Sequence, residues 1–561
     1  MKNGAELLIE TLENLGVDTV FGYPGGAVLP LYDAVYHAKK LNHILVRHEQ
    51  GAVHAAEGYA KSTDKVGVVI VTSGPGATNA ITGIADAFSD SVPLVVFTGQ
   101  VGTPGIGKDA FQEADMIGIT MPITKYNYQV RNIEDLPHII KEAFHIASTG
   151  RKGPVVIDLP KDMTVMETVQ PAEREIDIPS YQPTIEPNQL QVSKLVKAIE
   201  AAKKPLILGG NGIVLAGADK EFVEFVDKLQ IPTVTTLLGL GIIDVANPNF
   251  LGMVGMHGSY AANIAITECD LLINIGCRFA DRVAGAPNDF AKNATIAHID
   301  IDPAEIGKII ETQIPIVADC KKVLEALLKA KIKEPDISRW RKLCAQHKNM
   351  HPYTYEVEKT GELIKPQHVI ELVGKYTNGD AIVVTDVGQH QMWSAQFYPF
   401  KHNRQLITSG GLGTMGFGVP AAIGAKIANP DKEVVLFVGD GGFQMTNQEL
   451  ALCRQYDIDI KILLLNNGVL GMVRQWQTRF FEERYSQTTF NNEVDFQILA
   501  EAYGIDHVRI DNADTLAQEL EEHLSNHHAV LIEVIVDPDE HVLPMVPAGK
   551  ANYQMIGVGN A

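Results

Sequence analysis

Cysteine is scarce in this sequence: Cys269, Cys277, Cys320, Cys344 and Cys453 are the five in 561 residues, an odd number with no CxxC pair. That excludes a disulfide framework and a zinc site built from paired thiolates, and leaves inert core thiols in a reducing compartment as the reading. A basic excess is missing too. Lys and Arg number 47 against 68 Asp and Glu, a formal net charge of -21. The charge is spread without a basic stripe or a long acidic tail, so nucleic acid and membrane surfaces are excluded as partners. No apolar run approaches the ~18 residues that a spanning helix needs. The first residues, MKNGAELLIETLENLGV, already pattern as an amphipathic helix. Short-period repeats and low-complexity segments are absent as well. What remains is an ordinary globular composition, 45% hydrophobic, expected in the cytoplasm and directed at small solutes. The length suits roughly three domains of ~100–200 residues each.

What is present is alternation. Short β-branched runs alternate with helical patterns throughout, which predicts an α/β protein of three doubly wound parallel-sheet domains. The first domain spans 1–166, with strands in DTVFGYPG, HILVRH, VGVVIVTSGPG, PLVVFTGQ and PVVIDLP. A Pro- and Glu-rich linker follows over 167–188. The middle domain spans 189–335, with strands in KPLILGGNG, PTVTT, LLINIGCR and TIAHIDID, and a charged linker covers 336–364. The third domain spans 365–536, with strands in AIVVTDVG, QLITSGG, EVVLFVGD, IKILLLNN and AVLIEVIVD. A turn-rich tail occupies 537–561. Ligands of open α/β sheets gather beyond the carboxyl ends of the strands, so the residues just after these runs are the candidates.

Chemistry is densest in EVVLFVGDGGFQMTNQELALCRQYDIDIKILLLNNGVLGM, which reads as strand, glycine turn, helix, strand, turn. The helix is expected to open on a capping box formed by Thr446 and Glu449. Asp440 leaves the first strand and Asn467 the second, one crossover apart, so both oxygens emerge at one end of neighbouring strands. A carboxylate, an amide oxygen and a backbone carbonyl suit a hard cation such as Mg²⁺, which keeps positions for water and phosphate oxygens. The glycines beside Asp440 let amides approach a diphosphate. Two further stretches stand out. Glu49, in HILVRHEQGAVHAAEGYAKST, sits where a strand gives way to a helix, the ordinary place for a dipole-stabilising carboxylate. Met415 is the one bulky side chain in the glycine-rich SGGLGTMGFGVP, where core filler is its plain reading.

The run from GDGGFQM to LLLNN resembles the thiamine-diphosphate fingerprint. The resemblance implies that Asp440, Asn467 and the carbonyl of Val469 hold Mg²⁺. It places Gln389, His390, Gly413, Gly441, Gly442 and Met472 on thiamine diphosphate, with Met415 as the apolar support that bends the cofactor. It assigns Glu49 to the aminopyrimidine ring. GYPGGAVLPLYDA, EQGAVHAAEGYA, SGPGATNAITGIADA, GKDAFQEAD, MPITKYN and RQWQ extend the likeness from Gly4 to the PMVPAGKA tail. Together they are similar to the large, catalytic subunit family of biosynthetic acetohydroxyacid synthase, also called acetolactate synthase. That family implies decarboxylation of pyruvate and transfer of the two-carbon unit to a second pyruvate, giving 2-acetolactate, or to 2-ketobutyrate, giving 2-aceto-2-hydroxybutyrate, on the route to branched-chain amino acids. Gln100 and Phe111 then line the substrate pocket, Arg282 holds the acceptor carboxylate through a bidentate guanidinium, and Trp476 favours the larger acceptor.

The resemblance also implies FAD, bound in the middle domain by Arg151, Met256, His257, Gly258, Arg278, Asp300 and Asp302. Two departures stand beside it: Ala280 occupies a position that is usually acidic in the family, and GGNGIVLAGA is not a GxGxxG fingerprint. The site is expected between two chains, as a homodimer or homotetramer, and a regulatory small subunit is allowed. A pyruvate oxidase, using the same two cofactors for electron transfer, and a non-oxidative 2-keto-acid decarboxylase, releasing aldehyde, stand as alternatives, with a non-catalytic three-domain scaffold as the reading of a different class.

Overall fold

The computed structural model describes residues 1–169, 174–490 and 494–559. Residues 170–173 of the expected linker, 491–493 of the third domain and 560–561 of the tail lie outside the described residues. Three six-stranded sheets, each parallel throughout, carry the molecule. The first is ordered Asn42–Leu45, Thr19–Tyr23, Gly67–Val71, Leu94–Gln100, Pro154–Pro160, Tyr126–Gln129. The middle sheet is ordered Phe250–Met253, Thr233–Thr235, Pro205–Gly209, Leu271–Ile275, Thr295–Asp300, Ile314–Val317. The third runs Leu406–Ile407, Ile382–Thr385, Val434–Gly439, Lys461–Asn466, Val530–Ile535, Asp506–Ile510. The central strands are buried on both faces, which is why they read as unbroken runs such as GVVIV, LLINI and KILLL. All five cysteines are buried, as inert core thiols should be.

Numbered by sequence within each sheet, the first and third share the order 2-1-3-4-6-5, whereas the middle one is 3-2-1-4-5-6. The latter is the dinucleotide-binding order, with its switch point between Pro205–Gly209 and Leu271–Ile275.

The first and third units meet along two helices, Glu49–Ser62 and Gly418–Ala428. Both are rich in Ala and Gly, and their backbones nearly touch. A Cβ on Gly58 would lie 2.0 Å from the Ala421 carbonyl oxygen, and one on Gly424 would lie 1.8 Å from that of Ala55. Around this crossing Ala52, Ala55, Ala56, Phe417, Ala421 and Ala422 form one apolar cluster shared by the two units. Among the described residues no helix is long and apolar enough to cross a membrane.

One local expectation fails. The helix after the glycine turn begins at Asp440 itself and ends at Thr446, so Thr446 and Glu449 form no capping box. Thr446 Oγ1 instead donates to the Gly416 carbonyl at 2.8 Å, and Glu449 reaches into the first unit, where both its oxygens accept from the Arg47 amide at 3.1 and 3.0 Å. The glycines after Asp440 enter the first helical turn because residues that start a helix need no intrahelical donor partner.

Candidate active site

The third sheet presents its strand ends to a cavity lined by Gln389, His390, Met415, Asp440, Gly441, Gly442, Asn467, Val469 and Met472 among others. Asp440 follows Val434–Gly439 and Asn467 follows Lys461–Asn466, two strands paired in parallel register. Asn467 Oδ1 accepts from the Val469 amide at 3.2 Å, which folds the turn so that this chain segment closes on itself beside Asp440. Asp440 is 4% exposed. Burial pushes its carboxyl up to about 7, partly offset by the Gly441 and Gly468 amides. A carboxylate so buried keeps its charge only beside a counter-charge, and a divalent cation with oxygen ligands meets that need.

The cavity wall also carries buried polar atoms without partners. His390 is buried and its Nε2 has no partner; burial lowers its pKa to about 4, with the Asp386 carbonyl opposing, so the imidazole is neutral. Gln389 Oε1 is likewise buried without a partner. Its Nε2 is fixed by Gln475 Oε1 at 2.9 Å and the Glu540 carbonyl at 2.8 Å. Gly441 is close to the walls, since a Cβ there would lie 2.8 Å from Leu470 Cδ2.

Met415 lies between two glycines in the left-handed region, Gly413 at φ +75° and Gly416 at φ +88°. Only glycine enters that region at little cost, so the pair fixes a reversal that projects the Met415 backbone toward the cavity. Asp386, fully buried, holds the far side of this loop by accepting from the Gly416 and Gly418 amides at 3.0 and 2.8 Å. Burial raises the Asp386 carboxyl, with those amides opposing. Sequence reading took AIVVTDVG for a strand and passed over Asp386; an acid between a strand end and a glycine was the available signal, the same one that marked Asp440.

Glu49 stands elsewhere. It begins the helix Glu49–Ser62 behind an N-cap at His48, its Oε2 accepts from Asn79 Nδ2 at 3.0 Å, and it is not among the residues lining the Asp440 cavity. Within one chain the two halves of the expected site are therefore apart. Gln100 is 2% exposed, its Nε2 donating to the Ala114 carbonyl at 2.7 Å and to Asp158 at 3.2 Å. Phe111, by contrast, is 89% exposed. Arg282 lines a separate crevice with Met256, Val546 and Lys550, and pairs with its neighbour Asp281 at 2.7 Å. Trp476 is half-buried on the helix Gly471–Phe480, edge-on to Phe480, one turn beyond Met472.

The residues expected to hold FAD lie beyond the carboxyl ends of the middle sheet. Arg278 follows Leu271–Ile275, Asp300 and Asp302 close Thr295–Asp300, and Met256 to Gly258 follow Phe250–Met253. Arg278 donates to the Ser89 carbonyl at 2.8 Å. Arg151 donates to Ser91 at 3.1 Å, Asp302 at 3.1 Å and Glu305 at 2.9 Å. Two arginines of opposite units thus converge on Ser89–Ser91. At the switch point the backbones of two turns are in contact, since a Cβ on Gly210 would lie 2.3 Å from the Gly276 carbonyl oxygen. Thr235 Oγ1, at the end of Thr233–Thr235, and His257 Nδ1 are buried without partners. Strand order and close-approaching glycines fit a dinucleotide, although no GxGxxG is present.

Family comparison covers each unit. Residues 2–119 match the N-terminal TPP-binding domain of thiamine pyrophosphate enzymes, 192–327 their central domain and 386–534 their C-terminal TPP-binding domain. The chain is 57% identical to the acetolactate synthase large subunit of Lactococcus lactis over 99% of its own length and 96% of that protein. It is 46% identical to the acetolactate synthase large subunit of Haemophilus influenzae, over 99% and 98% of the two lengths. It is 45% identical to the acetolactate synthase isozyme 3 large subunit of Escherichia coli, again over 99% and 98%. Matched in all three units and similar over its whole length to these relatives, the chain belongs to the acetolactate synthase large-subunit family of thiamine pyrophosphate enzymes.

Proposed function

We propose that the protein decarboxylates pyruvate and joins the two-carbon unit to a second pyruvate or to 2-ketobutyrate, using thiamine diphosphate, Mg²⁺ and FAD. The carrying observation is the cavity where Asp440, Asn467, Val469, Gln389, His390 and Met415 converge. The names of the relatives favour this reading over pyruvate oxidase and simple decarboxylase. Thiamine diphosphate, when bound, supplies a nucleophilic carbon and an electron sink for loss of CO₂.

The chain's own residues supply the rest. Asp440 Oδ, Asn467 Oδ1 and the Val469 carbonyl would hold the cation, and the Gly441 and Gly442 amides would receive the diphosphate, with Gln389 and His390 beside the cofactor. Met415 gives the cofactor an apolar bed. Glu49 would meet the aminopyrimidine ring for proton exchange, brought to the cavity by a second copy of the chain. Phe111, almost fully exposed in one chain, belongs to the same arrangement. Arg282 holds the acceptor's carboxylate by two parallel donors, and Trp476 narrows the acceptor's space. FAD is held by Arg151, Met256, His257, Gly258, Arg278, Asp300 and Asp302 in a structural capacity. Branched-chain amino acid synthesis is the setting, with a homodimer or homotetramer as the working form and a regulatory small subunit as a further partner.

Mass analysis of the product from pyruvate, with thiamine diphosphate and Mg²⁺ added, tests the reading. Acetolactate is expected; acetaldehyde or acetate as the main product would overturn it.

A further inference from the structure

Behind the Met415 loop lies a cluster with no part in the scheme above. His54, Glu57 and Asp86 are fully buried, and their ligand-type atoms lie within 4.8 Å of one another. His54 and Glu57 sit on the helix that starts at Glu49, and Asp86 on the helix Ile81–Asp90 of the same unit. Gln50 Nε2 lies 3.3 Å from His54 Nε2, and His54 Nδ1 lies 2.9 Å from Glu57 Oε1. Burial holds the imidazole neutral, with a pKa lowered to about 4, so one consistent assignment has Gln50 donating to Nε2 and Nδ1–H donating to Glu57. On the far side Ser409 Oγ donates to Asp86 Oδ1 at 2.6 Å while accepting from the Gly413 and Thr414 amides at 3.0 and 2.9 Å. Two oxygens remain: Glu57 Oε2 and Asp86 Oδ2 are both buried and without a donor.

We propose that Glu57 and Asp86 share one proton between these two oxygens, and that through Ser409 this pair is the positioning device for the loop carrying Met415. Two buried carboxylates with oxygens within 4.8 Å of each other repel unless one is protonated. With that proton on Glu57, every donor in the chain from Gln50 to Gly413 has one acceptor. Burial raises both carboxyls, the direction the shared proton requires. The charged neighbours divide: the Lys61 ammonium lowers both carboxyls and Asp90 raises them, while Lys61 itself donates to Asp90 and the Thr408 carbonyl, both at 2.5 Å, and Asp90 accepts from the Gly410 and Gly411 amides. Asp386 faces His54 from the third unit and is held by amides, so neither group supplies a second proton. The three residues have the composition of a metal site, but a buried ammonium beside them and a His54 Nδ1 already given to Glu57 oppose a divalent cation.

The sign of the pH effect follows. A raised carboxyl favours the folded state fully below its ordinary titration range, and the benefit is lost as pH rises through the folded value. Wild-type stability and thiamine diphosphate affinity should both decline on the alkaline side. In Glu57→Gln an amide donates permanently to Asp86 and accepts from His54, so the variant should bind thiamine diphosphate with Mg²⁺ within about threefold of wild type at neutral pH and show a flattened alkaline decline. Asp86→Ala and Ser409→Ala should each raise the cofactor Kd about tenfold or more, and Ser409→Ala carries this arm if Asp86→Ala does not fold.

The inference rests on Met415 as the cofactor's bed, so two readouts keep them apart. Thermal unfolding across pH reads the shared proton, and cofactor titration with Mg²⁺ reads the positioning. A Glu57→Gln protein that keeps the wild-type alkaline decline in unfolding would overturn the shared proton, as would elemental analysis showing a tightly held ion that this substitution removes. Unchanged cofactor Kd in Ser409→Ala would overturn the positioning role.

Discussion

The first and third sheets have one strand order, 2-1-3-4-6-5, and opposite chemistry at their carboxyl ends. The third carries Asp440, Asn467 and glycine amides, the surface proposed for a cation and phosphates. The first carries Glu49 bonded to Asn79, the surface proposed for exchanging a proton with a heteroaromatic ring. Topology delivers every βα turn of a parallel sheet to the same end; the side chains in those turns then decide what binds. In the proposed arrangement one scaffold, used twice, supplies two halves of a cofactor site.

The comparison breaks most completely at Asp440. Asp440→Ala removes the only carboxylate of the cation set, so Mg²⁺-dependent retention of thiamine diphosphate should be lost in a binding titration while the first unit folds normally. Glu49→Gln touches the other half. Cofactor and Mg²⁺ should still bind, and turnover should drop by ~10²–10⁴-fold, the usual range for a lost acid–base group. Wild-type turnover in that variant would refute the division of labour. The joint between the halves is the next target. Gly424→Ala drives a methyl into the Ala55 carbonyl, an overpacking that should cost ~1–3 kcal/mol in chemical denaturation. The same change at Gly217, where nothing lies within 4 Å, tests something different, because its φ of +58° strains any side chain irrespective of space.

The smallest effect belongs to the acceptor. One methylene distinguishes 2-ketobutyrate from pyruvate, worth ~1–3 kcal/mol at most. Trp476→Leu should lower the ratio of 2-aceto-2-hydroxybutyrate to 2-acetolactate in a competition assay by no more than roughly 10- to 200-fold, with decarboxylation largely intact. An unchanged ratio would return Trp476 to a packed aromatic beside Phe480.

Sequence alone determined the α/β class, the central strands and the Asp440–Asn467 pair, because each is written in local pattern: a strand buried on both faces is an apolar run, and one crossover has a fixed reach. It missed Tyr126–Gln129, Phe250–Met253, Ile314–Val317 and Asp506–Ile510, all at sheet edges, where one flank lacks a neighbour and the apolar signal thins. Tertiary structure decided the rest. That Thr446 bonds Gly416 and Glu449 caps nothing, that Glu57 and Asp86 lie together, and that Glu49 stands away from Asp440 follow from the packing of helices across the first and third units. Long-range approach of this kind is fixed by which backbones can touch, as Gly58 and Gly424 allow, and no window of neighbouring residues carries that information.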